Sequence, residues 1–532
     1  MVKKAKGYFS SLGSDFPASV VVFLIALPLC LGIALGSNAP SFSGLIGGIV
    51  GGIVIGALSG SQLSVSGPAA GLTAIVAVAI GKLQVFEIFL VAVVLGGVFQ
   101  IILGYLKAGI LGDYIPSGVI KGMLAAIGLI LILKQIPHLV GYEADFQGDE
   151  AFAQKDGKNT FSELYYSVRN MLPVALAIGV ISILVQLLWD KVLAKKAKFF
   201  KLVPSPLFVV LFGVGVNEWL KVSMPHLALG TSHLVQIPIA ESAGEFVSFF
   251  TLPDFSGLAN VAVWTTALTI AIVASLETLL NIEAADELDP YQRVTPTNRE
   301  LKAQGVGNLL SGLIGGLPLT SVIVRTSANV NSGAKTKMSA IMHGILLLAC
   351  VALIPGVLNL IPYSSLAAIL IYTGYKLTKP ALYTEFFRKG WEQFLPFVIT
   401  VGAILLTDLL IGILIGCLVG LFFVMRSNFK SAVFVVNDEN KYLFRLRKDV
   451  SFLNKPIIKQ KLEKVPANSY VLIDAARADF IDKDVVEVIE DFMKHAPLKN
   501  IKVELKRSVY KDQGFAELHD LRPSVEVLVS KN

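Results

Sequence analysis

Glu277 lies in Ala274-Ser275-Leu276-Glu277-Thr278-Leu279-Leu280-Asn281, well inside an otherwise apolar run. An ionised carboxylate there costs roughly 3 kcal/mol on insertion scales, so such a group normally serves a pathway or a coupling ion. Asn281 follows one helical turn later, which puts both side chains on one face. A carboxylate with amide and backbone oxygens suits Na⁺ or a transferable proton. Two readings stand: ion coupling, or a structural hydrogen bond to a neighbouring helix. Arg325, in Ser321-Val322-Ile323-Val324-Arg325-Thr326-Ser327-Ala328-Asn329, carries a permanent charge in a second apolar stretch. It needs an anion, whether Glu277 or a substrate, and the two uses can coexist.

Arg325 stands on the second of two unusual segments. Ser66-Gly67-Pro68-Ala69-Ala70-Gly71-Leu72-Thr73 and Gly315-Gly316-Leu317-Pro318-Leu319-Thr320-Ser321 each open a short apolar stretch with Gly and Pro. Proline cannot donate to a helix ladder and pushes the preceding residue toward extended backbone, so both segments are expected as discontinuous helices. Pro68 and Pro318 are 250 residues apart, close to the length of one half of the apolar region. Interrupted spans at matching positions in two halves point to an inverted-repeat transporter; two Gly-rich packing helices are the other reading. A half-helix N-terminus offers unsatisfied N–H donors and a positive dipole end. Facing ends near Ala69, Ala70 and Gly71 and near Ser321, Val322 and Ile323 would cradle an oxyanion such as sulfate or bicarbonate at mid-membrane.

Elements that hold such groups must cross a bilayer. The 532 residues are 54% hydrophobic and 16% charged, against about a quarter charged in a soluble domain. Apolar runs long enough for a core of about 30 Å lie near residues 16–36, 42–60, 85–106, 115–136, 170–189, 204–220 and 262–282. More follow near 338–355 and 358–374, and Phe394 to Met425 is long enough to cross twice with Asp408 at the turn. The start, Lys3-Lys4-Ala5-Lys6 before an apolar run from Phe16, mimics a signal peptide but shows no clear small-x-small cleavage site, so it reads as a retained first helix.

Counting the interrupted segments as spans three and ten gives fourteen spans with both ends cytoplasmic. Lys191, Lys195, Lys196, Lys198 and Lys201, Lys335 with Lys337, and Arg388-Lys389 then fall inside. The loops with Glu143, Asp145, Asp149 and Glu150 and with Glu218, Glu241, Glu245 and Asp254 fall outside. After Met425 the pattern changes to alternating charge, with strands expected at Tyr442–Arg447, Val471–Ile473 and Ile501–Leu505. Val485, Val486, Val488, Ile489, Phe492 and Met493 form a helical apolar face between them. The organisation read from this is a membrane domain over residues 1–428 and a cytoplasmic α/β domain over 429–532.

Several function classes drop out. The net charge of +7 sits in short loops and the tail, as a membrane topology demands, and does not form a nucleic-acid surface. There is no H-E-x-x-H, no G-x-S-x-G and no dinucleotide fingerprint, and Ser332-Gly333-Ala334-Lys335-Thr336 lacks the P-loop order, so neither an enzyme nor a cofactor is expected. Cys30, Cys350 and Cys417 have no partner at metal or redox spacing and read as small core residues. His343, within an apolar span, reads as a satisfied packing residue.

The run from Ser275 to Asp286, then Arg293-Val294-Thr295-Pro296-Thr297-Asn298-Arg299-Glu300-Leu301, Gly305-Val306-Gly307-Asn308 and the broken segment Gly315 to Asn331, resembles the sulfate permease (SulP) anion transporters. The resemblance covers nearly the whole chain, and the C-terminal unit looks like a STAS domain (sulfate transporter and anti-sigma factor antagonist). It implies a polytopic α-helical protein with a seven-plus-seven inverted repeat. A core domain with spans one, three, eight and ten would move against a gate domain, within a homodimer in the bacterial cytoplasmic membrane. By similarity to bicarbonate-transporting members, Glu277 takes the place of the acidic cation-site residue, with Asn281 beside it. Ser321 and Ile323 would lend backbone oxygens to the cation, and Ala69, Ala70 and Val322 would face the anion.

Two departures stand out. Many members carry a polar side chain in the first span, where Ala26-Leu27-Pro28-Leu29-Cys30 offers none. Asp479-Phe480-Ile481-Asp482-Lys483-Asp484 has Lys483 where anti-sigma antagonists have a phosphorylatable Ser, so docking of a cytoplasmic regulator is expected in place of a phosphoswitch. The expected activity is uptake of sulfate or bicarbonate by symport with Na⁺ or H⁺. A passive channel or exchanger is the alternative, as is a membrane-anchored scaffold. A nucleobase transporter of related fold would need acidic groups on both central spans, and span ten carries only Arg325.

Overall fold

The computed structural model describes residues 11–113, 115–147, 149, 152–154, 157–196, 200, 203–508 and 525–530. Of the charges used for topology, Glu150, Lys198 and Lys201 lie outside the described residues, as do Lys3, Lys4 and Lys6 at the start. The chain divides into two compact units, Met1–Leu418 and Val419–Asn532. The division falls within one continuous helix, Leu409–Ala432.

The first unit opens with α1 (Leu12–Gly36) and α2 (Ser41–Leu58), followed by the short strand β1 (Ser66–Pro68) running into α3 (Ala70–Leu83). Next come α4 (Phe86–Tyr105), α5 (Ser117–Leu139), the short α6 (Thr160–Arg169), α7 (Pro173–Leu193), α8 (Ser205–Ser223) and α9 (Val261–Leu288). Then follow α10 (Thr297–Leu313), strand β2 (Leu319–Ser321), α11 (Ile323–Asn331), α12 (Met338–Leu353), α13 (Tyr363–Leu377), α14 (Pro380–Arg388), α15 (Trp391–Leu406) and α16 (Leu409–Ala432).

Among the described residues α1, α2, α4, α5, α7, α8 and α9 are long and apolar enough to cross a membrane, and α3, α12, α15 and α16 carry shorter apolar stretches. The expected double crossing of 394–425 resolves into α15 and α16, broken at Asp408, whose carboxylate caps the second helix by accepting from the Ile411 N–H at 2.9 Å.

The helices form two groups. In one, α1 packs on α2, α11 and α12, and α4 packs on α9 and α10; in the other, α5 packs on α13 and α15, and α7 on α8 and α13. α1 is apolar all round and almost wholly buried, as a helix enclosed by others must be. Glycines let α2 cross the strands: a Cβ on Gly51 would lie 2.3 Å from the Ser66 carbonyl oxygen.

The second unit is a five-stranded sheet in the order β3 (Val433–Asp438), β4 (Lys441–Val450), β5 (Tyr470–Ile481), β6 (Lys502–Ser508) and β7 (Val525–Ser530). The first pair is antiparallel and the rest parallel. Helices α17 (Lys455–Glu463) and α18 (Lys483–His495) supply Ile458, Leu462, Val485, Val486, Ile489 and Met493 to its core. The expected helical face is the one buried. Strands β3 and β7 and helix α17 carry too short or too charged a pattern to stand out in sequence. Lys483 is the first residue of α18, behind an Asp482 cap that accepts from the Asp484 N–H at 2.9 Å.

Candidate anion and coupling-ion site

The two interrupted segments meet. β1 and β2 pair antiparallel, with Ser66 opposite Ser321, Gly67 opposite Thr320 and Pro68 opposite Leu319. This pairing satisfies backbone groups that the interruptions remove from any helix ladder, which a membrane interior cannot leave open. Each strand runs directly into a helix, so the first turns of α3 and α11 flank one small sheet.

α10 holds that sheet through Glu300, Gln304 and Asn308, which recur every four residues and share a face. Asn308 Oδ1 accepts from Leu319 N at 2.5 Å, and its Nδ2 donates to Leu319 O at 3.0 Å and Gln100 Oε1 at 2.6 Å. Gln304 Nε2 donates to Ser66 Oγ at 2.6 Å and to Glu300 Oε1 at 3.1 Å. Ser59 Oγ donates to Glu300 Oε2 at 2.5 Å. The stretch Arg293 to Asn308 that carried the family resemblance is thus, in part, the support of the interrupted spans.

The sequence-derived site residues converge on this sheet from three elements. Ala69 is buried at the end of β1, and Ala70 and Gly71 are half-buried in the first turn of α3. Ser321 is fully buried, Val322 half-buried and Ile323 buried where β2 becomes α11. Glu277 and Asn281, 3% and 2% exposed, come from α9. A Cβ placed on Gly71 would stand 3.1 Å from Glu277 Oε1, so the absence of a side chain there lets the carboxylate reach the start of α3. Asn281 Nδ2 donates to the Ser321 carbonyl at 2.6 Å, and Ser321 N donates to Thr278 Oγ1 at 3.4 Å.

Asn281 Oδ1 and Thr73 Oγ1 are buried with no hydrogen-bond partner among the described residues. Hard oxygens from Glu277, Asn281 and Ser321 suit Na⁺ or a proton, whereas no group of three or more His, Cys, Asp or Glu among the described residues is placed to hold a metal ion. The Ser321 carbonyl also accepts from Thr320 Oγ1 at 3.0 Å. Thr278 escaped the sequence reading, although it neighbours Glu277 and lies one turn before Asn281.

Arg325 is 0% exposed and turns toward α1. Its Nη2 donates to Cys30 Sγ at 3.2 Å, while Nε and Nη1 have no hydrogen-bond partner among the described residues. Among the described residues its hydrogen bond goes to Cys30 and not to Glu277, the internal partner open to it in sequence. Two readings need correction. Cys30 is not simply an apolar core residue, and the first span does offer a polar atom, because a thiol accepts a hydrogen bond when a buried donor is aimed at it. His343 is fully buried with both ring nitrogens lacking hydrogen-bond partners among the described residues, so it is not a satisfied packing residue.

Two cavities lie toward opposite ends of α1. One, of 160 Å³, is lined by Pro17, Asp190, Ala328, Tyr372 and Lys376; the other, of 240 Å³, is lined by Gly32, Glu143, Gln147, Gln236 and Tyr363.

A helical membrane protein in which two interrupted spans pair their strands beside two helix starts, with a buried guanidinium and a buried carboxylate on adjoining elements, has the features of a membrane transporter. The sulfate permease family model matches residues 12–400, and the chain belongs to that family of anion transporters. YvdB of Bacillus subtilis (strain 168) is 27% identical over 451 residues, covering 84% of this chain and 80% of the relative. The bicarbonate transporter BicA of Picosynechococcus sp. (strain ATCC 27264 / PCC 7002 / PR-6) is 27% identical over 430 residues, 78% of this chain and 70% of BicA. Among solved structures, the overall structure of SLC26A9 superposes with a TM-score of 0.64 at 16% identity, covering 93% of this chain and 84% of that one, which shows a shared fold.

Proposed function

We propose that this protein takes up a small inorganic oxyanion, sulfate or bicarbonate, by secondary active transport coupled to Na⁺ or H⁺. The observation that carries the reading is Arg325, a fully buried guanidinium whose sole hydrogen bond among the described residues is to a neutral thiol. An uncompensated buried charge costs several kcal/mol, and an anion between the starts of α3 and α11 would offset that cost. Ala69, Ala70, Gly71, Ser321, Val322 and Arg325 bind the anion in this reading. Glu277, Asn281, Ser321 and Ile323 bind the coupling ion, so that each of the two buried charges meets its own counter-ion when both ions are bound.

Movement of the α1–α4 and α9–α12 group, as a core, against the second helical group, as a gate, would carry the site across the bilayer. This is the seven-plus-seven, fourteen-span architecture in a homodimer of the bacterial cytoplasmic membrane, with both termini inside. Residues 429–532 then act as a STAS-like domain that docks a cytoplasmic regulator.

The test is uptake of radiolabelled sulfate and of bicarbonate into liposomes, with and without inward Na⁺ or H⁺ gradients. One anion is expected to accumulate under one gradient. Arg325→Ala should abolish its binding, and Glu277→Gln should leave downhill flux but remove accumulation. Gradient-independent flux that survives Glu277→Gln unchanged overturns coupling in favour of a passive channel or exchanger. Absence of flux for both anions overturns the substrate assignment.

A further inference from the structure

We propose that Cys30 is a positioning residue of the anion site, whose thiol holds the Arg325 guanidinium in place without neutralising it and thereby keeps its charge for the transported anion. The inference rests on the reading of Arg325 as the counter-charge of the substrate. Cys30 on α1 and Arg325 on α11 are both 0% exposed, and the 3.2 Å Nη2 to Sγ contact joins elements 295 residues apart. The slot is shaped around the pair. A Cβ on Gly67 would lie 2.0 Å from Arg325 Nη1, and one on Gly48 would lie 2.7 Å from Cys30 Sγ.

Backbone therefore walls the guanidinium on the β1 side, and the thiol receives it on the α1 side. His343, a buried titratable group near this charge, has no hydrogen-bond partner for either ring nitrogen among the described residues.

The choice of acceptor matters chemically. A neutral thiol is a weak acceptor, so it fixes direction while leaving nearly the whole positive charge uncompensated. A carboxylate at the same place would form a charge-assisted pair with the guanidinium and act as an internal substitute for the anion. Serine would keep a neutral acceptor on a shorter reach. Alanine would leave all three guanidinium nitrogens without a fixed partner and the charge free to shift within the slot.

The test uses the full-length protein purified in detergent. Thermal stability is titrated with sulfate and, separately, with bicarbonate, alongside liposome uptake of the same anions, for wild type and for Cys30→Ser, Cys30→Ala, Cys30→Asp and Arg325→Ala. A merely structural role of Cys30 would move the melting temperature without anion but not the anion concentration at half-maximal stabilisation. The expected result is a midpoint within about twofold of wild type for Cys30→Ser and a rise of roughly tenfold for Cys30→Ala, with maximal uptake little changed. Cys30→Asp should lose stabilisation by anion altogether. Wild-type midpoints in both Cys30→Ala and Cys30→Asp, with Arg325→Ala still abolishing binding, overturn the role of Cys30. Unchanged binding in Arg325→Ala overturns instead the site on which the inference stands. Should Cys30→Asp fail to fold, the Cys30→Ala and Cys30→Ser midpoints decide the matter, equality of both with wild type counting against the proposal.

Discussion

At the scale of single residues, this site is defined as much by missing side chains as by present ones. Gly67 leaves room for Arg325, and Gly71 leaves room for the Glu277 carboxylate. Gly67→Ala would put a methyl group 2.0 Å from Nη1, a distance that no packed atoms tolerate, so the guanidinium must shift from its present position. We expect anion uptake to fall at least tenfold while the protein still inserts, because Arg325 loses position rather than charge. Wild-type uptake by Gly67→Ala would show that the slot is not where Arg325 works.

At the scale of elements, α10 is the part whose contribution is least visible until the strands are seen. Asn308 meets both backbone groups of Leu319, which lie in an interrupted span and have no helix ladder to join. Asn308→Ala leaves a buried donor and acceptor unpaired, at about 2–4 kcal/mol in total. The expected outcome is a lower melting temperature in detergent together with reduced uptake. Asn308→Asp, which keeps an acceptor for Leu319 N but loses the donor, should fall between the two. An alanine variant as stable as wild type would mean that the sheet does not depend on this anchor.

At the scale of the whole membrane unit, the segment between α5 and α7 caps α1. The Gln147 carbonyl packs where a Cβ on Gly32 would stand, only 1.7 Å away, and the Phe146 ring lies against Gly36 at 2.3 Å by the same measure. Beneath this cap Lys134 is 3.4 Å from Asp149 and 3.9 Å from Glu163, His138 is 2.5 Å from Glu143, and Gln154 donates to Glu163. Burial first, and then neighbouring Asp145, push the Glu163 carboxyl up to about 7.

A carboxyl raised above its unfolded value of about 4.3 binds its proton more tightly in the folded state. Its stabilising contribution is therefore complete below that value and is lost as pH rises through about 7. Melting temperature should fall between pH 5 and 8 in wild type and fall less in Glu163→Gln. An equal fall in both would assign the pH dependence to other groups.

What the sequence determined by itself follows from free energies large enough to act on each residue separately. Charge cannot lie in hydrocarbon without a purpose, so Glu277 and Arg325 stood out of their apolar runs. Proline and glycine cannot continue a helix, so the two interruptions were legible, as were most apolar spans and the amphipathic α18.

The tertiary structure decided what depends on partners distant in sequence. Only pairing revealed that the interruptions form one sheet with Ser66 opposite Ser321. Only packing revealed that Arg325 donates to Cys30, that the His343 ring nitrogens have no hydrogen-bond partner among the described residues, and that Gln304 and Asn308 serve the strands. A cysteine in an apolar run has the same local pattern whether it fills space or receives a guanidinium. The difference lies in a donor arriving from 295 residues away, and no local propensity encodes that arrival.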